Sequence, residues 1–290
     1  MISKQLISHL QKHDLLEKFQ SAYRPGHSTE TALLRVSNDI LRAIDDKKCV
    51  FLVLLDLSAA FDTIDHGILL HRLQYQFGLN GTALRWLESY LTNRTQCILI
   101  DGVKSFSKQI TCGVPQGSVL GPLLFSVYLS ELGQLIREYN MSFHTYADDT
   151  QIYIAFNPGE TDITIERLEL CINKIRAWMI ASKLKLNDDK SELILISSPH
   201  NKKKFDKLSI TIGTEVVNSS NCVRNLGFMM DSVLNMEDHI TSVCRSSYFH
   251  LRNIGAIRRY LDDNTAAQII HVFVTSRLDY CNSLFSGLPD

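Results

Sequence analysis

The sequence has little excess charge of either sign and no long apolar run. Its 290 residues carry a formal net charge of −1, so any contact with nucleic acid has to come from local patches. The longest uninterrupted apolar run, residues 50–55, is far too short to span a bilayer. The start Met1-Ile2-Ser3-Lys4-Gln5 lacks the basic and apolar parts of a signal peptide. These absences predict a soluble, intracellular protein without membrane contact.

Paired cysteines are also missing. The seven cysteines, at positions 49, 97, 112, 171, 222, 244 and 281, are odd in number and form no Cys-x-x-Cys pair. A disulfide framework and a zinc module are therefore disfavoured, and free thiols in a reducing compartment are expected. The sequence also contains no Gly-x-x-x-x-Gly-Lys-Ser/Thr loop, internal repeat or long linker. With 45% hydrophobic and 21% charged residues, it is typical of one large or two small globular domains.

Two adjacent carboxylates stand out in Tyr146-Ala147-Asp148-Asp149. Apolar and polar residues alternate over 150–156, and a second short apolar run covers 141–145. The two runs predict a β-hairpin whose loop of about four polar residues carries the Asp pair. Neighbouring carboxylates raise each other's pKa, which indicates a cation nearby. The alternative is ordinary turn chemistry at the surface.

A third carboxylate, Asp56, ends the apolar run at 50–55. That run predicts a strand buried on both faces. A carboxylate at its end needs a proton, a partner or a metal, unless it caps the next helix. If the strand pairs beside the hairpin, Asp56, Asp148 and Asp149 converge on an oxygen-only Mg²⁺ site. Two such ions are the usual device for phosphoryl transfer, so the site indicates nucleotidyl transfer.

The remaining patterns predict an α+β fold, in which helices pack on one face of an antiparallel sheet and a helical segment follows. Helices are predicted within 1–20, from Ser28, over 58–73, 80–91, 119–138 and 165–179, and from Met236 to the end. Further strands are predicted at 96–100, 193–196, 208–212 and 223–230.

Six segments, in order, resemble motifs of reverse transcriptases. Residues 55–62 (LDLSAAFD), 113–118 (GVPQGS) and 146–149 (YADD) resemble motifs A, B and C. Residues 187–192 (NDDKSE) resemble motif D, and 225–228 (NLGF) resemble the primer-grip motif E. Residues 23–29 (YRPGHST) resemble the segment before motif A in non-LTR (LINE-type) retrotransposon polymerases. The resemblance runs from about residue 15 to the C-terminus.

The resemblance implies the reverse transcriptase domain of a non-LTR retrotransposon, an RNA-directed DNA polymerase. It implies a right-hand polymerase fold with partial fingers (1–49), a palm (50–235) and a helical thumb-like segment (236–290). The expected cofactor is a pair of Mg²⁺ ions, with Mn²⁺ as a substitute. The expected partners are an RNA template, a DNA primer and dNTPs.

Matched motif by motif, the resemblance assigns roles around the metals. Asp56, Asp148 and Asp149 would ligate the two ions, with Asp148 the closer ligand and Asp149 the more peripheral one. Leu57 would offer its backbone carbonyl. The nucleotide would also meet Phe61, Gln116, Gly117 and Tyr146, with Phe61 as the steric gate that selects dNTP over rNTP. The alternatives are that Phe61 is a core aromatic and that the Gln116 loop only leads into a helix.

The resemblance also assigns roles farther from the metals. Lys190 would be the general acid towards pyrophosphate, and Leu226 and Gly227 would hold the primer end. Arg245, Arg252 and Arg259 repeat every seven residues, which predicts one helix face contacting template–primer phosphates. A solvated loop explains Lys190 equally well, and a solvated surface explains both the arginines and Lys202-Lys203-Lys204.

Compared with complete non-LTR elements, the sequence shows no endonuclease and no Cys/His knuckle. By this resemblance, it begins after the strands of the fingers whose basic residues grip the nucleotide triphosphate in the family, and it stops at Leu288-Pro289-Asp290. Arg24 would be a substitute for those contacts. A domain truncated at both ends is therefore expected, binding dNTP poorly and exposing apolar surface. The competing interpretation is an inactive retrotransposon remnant that at most binds nucleic acid. Another two-metal palm, such as a nucleotide cyclase, would not explain Pro115-Gln116-Gly117 or Phe61.

Overall fold

A six-stranded sheet forms the centre of the molecule. The computed structural model describes residues 1–205 and 208–286, so the last four residues of the predicted thumb-like segment lie outside the described part. The strands are β1 Cys49–Leu55, β2 Leu57–Ser58, β3 Arg94–Gln96, β4 Leu99–Ile100, β5 Val103–Lys104, β6 Lys108–Ile110, β7 Ser142–Tyr146, β8 Asp149–Phe156, β9 Lys185–Leu186, β10 Glu192–Ile196, β11 Ser209–Ile212, β12 Glu215–Ser220, β13 Cys222–Asn225 and β14 Phe228–Asp231.

Helices surround this sheet on two sides. They are α1 Ile2–Lys12, α2 Thr29–Asp45, α3 His66–Tyr75, α4 Gly81–Leu91, α5 Gly121–Tyr128, α6 Ser130–Glu138, α7 Thr161–Ala181, α8 Pro199–Lys202, α9 Glu237–Ile257, α10 Asp263–Ile270 and α11 Ser276–Asp279. Among the described residues, no helix combines the length and apolar character needed to cross a membrane.

The sheet order is β11-β12-β10-β1-β8-β7. The continuous apolar strand β1 lies in the middle, and it is antiparallel to both β8 and β10. The parallel neighbours β10 and β12 make the sheet mixed, so the prediction of an antiparallel sheet was wrong at that pair. The hairpin β11–β12 joins the sheet with β12 running in the same direction as β10. The mostly polar β12 carries no apolar pattern that would have predicted it.

Both faces of the sheet are covered. Phe51, Val53 and Leu55 belong to a core shared with α3, α5, α6 and α7. Val50 and Leu52 belong to a second core, shared with α2 and the β13–β14 hairpin. The strand β1 is therefore buried on both faces as predicted, whereas the prediction of helices on one face only was wrong. The apolar stripe of α2 needs its own partner surface, and the second face of the sheet provides it.

Several predicted boundaries also change. The helix predicted over 58–73 begins only at His66, because Leu57 and Ser58 pair with β9 and the chain then turns at Ala59, where φ is +50°. The helix predicted over 119–138 is two helices that meet at Leu129. The helices predicted from Ser28 and over 80–91 and 165–179 are confirmed.

Two predicted strands turn out to be hairpins. Residues 96–100 lie in a ribbon, with β3 paired to β6 and β4 paired to β5, outside the main sheet. Residues 223–230 are the hairpin β13–β14. It bends at Leu226 and Gly227, whose φ values are +46° and +85°. A backbone in that region reverses the chain, so one straight strand cannot form there.

Candidate active site

The predicted hairpin is confirmed, with a tighter tip than expected. Its strands β7 and β8 are joined by two residues, Ala147 and Asp148, and Ala147 has φ of +57°. β8 pairs with β1 so that Leu55 lies opposite Thr150. Asp56 directly follows Leu55 and Asp149 directly precedes Thr150, so an extension of this register by one position brings the two carboxylates together, and both line one cleft. Neighbouring central strands thus place two of the predicted carboxylates side by side, and the third lies in the turn next to them.

The charges of the three carboxylates interact. Asp56 and Asp149 line one open cleft of about 430 Å³, together with Lys190. Although Asp149 reaches solvent, partial burial raises its pKa to about 6, and the charges of Asp148 and then Asp56 add to the rise. Such mutual repulsion is what a nearby cation would relieve.

Asp56 is held by the segment that resembles motif D. The Asn187 side-chain amide donates to Asp56 Oδ2 at 3.0 Å, and the Asn187 backbone N–H donates to the Asp56 carbonyl at 2.9 Å. Lys190 Nζ lies 3.9 Å from Asp56 Oδ2. The helix that follows is capped instead by Asp65, which accepts from Ile68 N–H at 2.9 Å. The helix-cap explanation for Asp56 is therefore wrong.

The carboxylates of the cleft suit a divalent cation for which the protein supplies only some of the ligands. Within residues 1–205 and 208–286, no group of three or more His, Cys, Asp and Glu side chains is arranged to hold a metal. Mg²⁺ commonly takes one or two protein carboxylates and completes its shell with water and substrate phosphates. Asp56 and Asp149 in one open cleft match that pattern. Asp148 lies in the turn, where its charge acts on Asp149 and on Tyr23. Its role as the closer ligand stays a prediction.

Gln20 holds the carboxylate turn from the other side, and sequence patterns did not indicate it. Its side-chain carbonyl accepts from Ala147 N–H at 3.2 Å and from Ala22 N–H at 2.7 Å. Its amide donates to the Ala147 carbonyl at 3.4 Å. Gln20 is 5% exposed, and its neighbours pair with Thr145 at the edge of β7. A buried side chain 127 residues away in sequence thus fixes the tip of the hairpin.

The Gln116 loop is attached to the segment that carries Phe61. Val114 N–H donates to the Phe61 carbonyl at 3.0 Å, and Gln116 Nε2 donates to Asp62 Oδ1 at 2.9 Å. Gly113 has φ of +83°, and a Cβ there would lie 2.8 Å from the Asp62 carbonyl oxygen. A glycine is therefore required for this close approach.

The other predicted nucleotide contacts differ in exposure. Phe61 is half-buried, and its ring stacks on Phe125 with centroids 4.3 Å apart. Gly117 is exposed with φ of +74°, whereas Leu57 is buried. Tyr146 is half-buried and pairs with Asp149. Their roles towards a nucleotide stay predictions.

The predicted nucleic-acid contacts lie on the hairpin β13–β14 and beyond it. Leu226 lines the same cleft as Asp56 and Asp149. Arg245 and Arg252 are exposed on α9, but that helix ends at Ile257. Arg259 lies in the following 3₁₀ turn, with its guanidinium over the Tyr260 ring at 4.7 Å. The prediction that all three arginines share one helix face was therefore wrong.

Comparison with known proteins identifies the family. The protein-family model described as "Reverse transcriptase (RNA-dependent DNA polymerase)" matches residues 1–230 of this chain. The chain belongs to the reverse transcriptase family. This confirms the resemblance that the six motifs predicted.

Curated relatives of the chain include proteins of mobile elements. The chain is 27% identical to the probable RNA-directed DNA polymerase from transposon BS of Drosophila melanogaster, over 88% of this chain and 28% of that protein. It is 28% identical to the RNA-directed DNA polymerase from mobile element jockey of the same species, over 79% of this chain and 25% of that protein. The chain thus spans about a quarter of the length of these relatives.

Solved structures show the same fold at low sequence identity. Telomerase from Candida tropicalis in complex with the TWJ fragment of telomeric RNA matches with a TM-score of 0.56 and 11% identity, over 98% of this chain and 46% of that one. The apo telomerase of the same species truncated from its C-terminal domain matches with a TM-score of 0.55 and 13% identity, over 80% of this chain and 43% of that one. The α+β fold with its mixed six-stranded sheet is therefore a polymerase fold.

Proposed function

We propose that the chain is the RNA-directed DNA polymerase domain of a non-LTR retrotransposon, which adds dNTPs to a primer 3′ end on an RNA template. The observation that carries this proposal is the register of β1 and β8. Extended by one position beyond Leu55 and Thr150, this register brings Asp56 next to Asp149; both line one open cleft, and partial burial, followed by the charges of Asp148 and Asp56, raises the pKa of Asp149. Family membership supports the choice of polymerisation over other two-metal reactions.

Asp56, Asp148 and Asp149 would hold Mg²⁺, or Mn²⁺ as a substitute. When bound, the ions would supply charge stabilisation for phosphoryl transfer. Lys190, next to Asp56 and largely exposed, is free to swing towards the pyrophosphate and give it a proton or a positive charge. The Phe61 ring would exclude a 2′-hydroxyl, and Gln116 would contact the incoming nucleotide.

The proposed division into fingers, palm and thumb follows the same logic. Residues 50–235 contain the sheet and all three carboxylates, as a palm requires. Residues 1–49 contribute Gln20 and α2, which support this sheet from outside. Residues 236–290 begin with α9, whose exposed Arg245 and Arg252 suit a thumb that contacts phosphates.

The test is primer extension by the 290-residue chain, with a DNA primer on an RNA template, dNTPs and Mg²⁺. Asp149→Asn should lower the extension rate about 10³-fold, because a ligand of the reacting centre contributes several kcal/mol to the barrier. Asp162→Asn, at an exposed position in the first turn of α7, is the matched control and should stay within about twofold of wild type.

Equal extension by wild type and Asp149→Asn would contradict the proposal. Absence of extension in all three proteins, with a labelled template–primer still bound, would favour the inactive remnant.

A further inference from the structure

The turn at Leu226 and Gly227 borders the carboxylate cleft. Arg224, Asn225 and Leu226 line this cleft together with Asp56 and Asp149. The turn belongs to the two-stranded hairpin β13–β14, which, within residues 1–205 and 208–286, pairs with no strand of the six-stranded sheet. The backbone N–H of Ser197, directly after β10, donates to the Ser232 carbonyl at 3.0 Å and ties down the end of the hairpin away from the turn. The distance of the turn itself from the carboxylates is not set by strand pairing, so side chains contribute to it.

A buried hydrogen bond connects the turn to β8, the strand that carries Asp149. Asn225 Nδ2 donates to Gln151 Oε1 at 2.8 Å. Gln151 is the second residue after Asp149 on β8, and Asn225 immediately precedes the turn. The two side chains are 1% and 2% exposed, so solvent hardly competes for this bond. The bond thus joins β8, the strand that begins with Asp149, to the turn across 74 residues of sequence.

Packing alone does not account for an amide at position 151. Gln151 Nε2 is buried and has no hydrogen-bond partner among the described residues. A buried unpaired donor costs stability, and a leucine of similar size would avoid that cost. Gln151 lies in the wall of the cleft. The presence of an amide there is better explained by the hydrogen bond in which its carbonyl oxygen holds Asn225.

Tyr280 also contacts this turn. Its hydroxyl donates to the Leu226 carbonyl and lies 3.1 Å from Thr29 Oγ1 at the start of α2. The ring packs so closely over Gly227 that a Cβ there would lie 3.3 Å from the hydroxyl oxygen. The next residue, Cys281, is buried in the core shared with α2. Two side chains from distant parts of the chain thus fix one turn.

We propose that Gln151 and Asn225 are positioning residues that hold the Leu226–Gly227 turn, and the 3′-terminal nucleotide of the strand resting on it, at a fixed offset from Asp56 and Asp149. Tyr280 braces this arrangement as well. The inference rests on the proposed polymerase function and deepens it, because it assigns the placement of the primer end to one hydrogen-bonded pair.

The experiment compares Gln151→Leu with wild type in steady-state primer extension. A displacement of about 1 Å at a reacting centre can cost about 100-fold in rate, so kcat should fall by about that factor. KM for the template–primer should stay within about twofold, because the phosphate contacts that dominate affinity are untouched. Gln134→Leu, at an exposed position on α6, is the matched control.

A swap of the two side chains separates positioning from general stability. The double variant Gln151→Asn with Asn225→Gln keeps the total length of the bridge and should regain most of the kcat that Gln151→Leu loses. Tyr280→Phe removes only the hydroxyl and should lower kcat about tenfold, a smaller displacement than the loss of the amide pair. Burst titration of active sites corrects each kcat for unfolded protein. Unchanged kcat per active site in Gln151→Leu would overturn the inference.

A second measurement does not depend on catalysis. A primer with 4-thiothymidine at its 3′ end, annealed to an RNA template, is photo-crosslinked to each protein and the adduct is mapped. Wild type should crosslink within 225–228, and Gln151→Leu should lose or shift this adduct. If wild type fails to extend primers but shows this difference, the proposed function fails for this chain and the positioning inference stands. Equal adducts in both proteins, or none in wild type, would overturn the inference.

Discussion

The carboxylate hairpin and the β3–β6 ribbon are both built from short strands, yet their surroundings are opposite. β8 lies between two strands of the central sheet, and its tip is held by Gln20. In the described part of the chain, the strands of the ribbon pair only with one another. Five apolar side chains of the ribbon are at least 66% exposed, namely Ile98, Leu99, Ile100, Val103 and Phe106. The rigid surroundings of the hairpin suit a reaction that needs carboxylates in fixed positions. The second has the apolar exposure typical of a surface that contacts a partner.

The largest expected difference between the two regions concerns a matched pair of leucines. Leu52 on β1 is fully buried, whereas Leu99 on β4 is 67% exposed. Leu52→Ala should lower the free energy of unfolding by about 2–5 kcal/mol, because it leaves a cavity in the core shared with α2. Leu99→Ala should change it by less than about 0.5 kcal/mol. Urea unfolding followed by circular dichroism measures both values, and similar losses would abolish the contrast between the regions.

The second prediction concerns pH and the strand that leads to the turn. Burial, followed by the charges of Arg35 and His27, lowers the pKa of His144 from 6.5 to about 4. Between these values the unfolded chain binds a proton that the folded chain does not. The stability that comes from neutral His144 is therefore complete above pH 6.5 and is lost as the pH falls towards 4.

The loss should approach about 3 kcal/mol between pH 7 and pH 4. The variant His144→Gln should lack this component, whereas His13→Gln, at an exposed position on the surface, should keep it. Urea midpoints at pH 7, 5 and 4 provide the comparison. Parallel pH profiles for wild type and His144→Gln would show that His144 is not the group responsible.

The third prediction concerns the side chain that anchors the turn. Gln20→Ala removes the acceptor of Ala147 N–H and leaves that donor buried, which should cost about 1–3 kcal/mol of unfolding free energy. Primer extension should fall as well, because the Asp148–Asp149 tip loses its support. Gln109→Ala in the exposed ribbon is the matched substitution, and it should stay within about 0.5 kcal/mol. Thermal unfolding of both variants would decide, and a neutral Gln20→Ala would remove this residue from the site.

The smallest effect on stability is expected at Phe106, which lies in the ribbon between β5 and β6. Phe106 is fully exposed, so Phe106→Ser should change the free energy of unfolding by less than about 0.5 kcal/mol. It should nevertheless reduce self-association in analytical ultracentrifugation, because it shrinks an exposed apolar patch. A destabilisation well above this range would mean that the ribbon packs against the rest of the protein.

The elements with the clearest periodicity were predictable. The apolar run of β1 and the stripe of α2 each have one dominant physical requirement, namely burial on two faces and burial along one stripe. The alternation of β8 predicted a strand correctly, but the prediction that this strand is half-buried was wrong, because residues 150–154 are all buried. The carboxylate site followed from two of these elements, since a buried strand and a hairpin each carried an unexplained Asp. Family membership, in contrast, was predictable from short motifs in order rather than from any single spacing.

The remaining features depend on partners far away in the sequence. Gln151 falls on the polar face of a strand that alternation predicts to be half-buried, but the hairpin β13–β14 covers it and leaves 1% exposed. Gln20 lies in a segment without periodicity, and no local pattern indicates a contact with Ala147. The polar strand β12 enters the sheet through pairing with β10 rather than through its own side chains. Local patterns cannot specify such contacts, because the partner defines the environment.

The central position of β1 also has a consequence for how the chain is made. Its two sheet partners are β8 and β10, which follow about 100 and 140 residues later in the sequence. A nascent chain therefore carries β1 without either partner until β8 has left the ribosome, and with one edge still unpaired until residue 196 has followed. Since such long-range pairing closes large loops, folding should be slow and the growing chain vulnerable to aggregation. Chaperone capture during synthesis should accordingly be strongest between the emergence of β1 and that of β10.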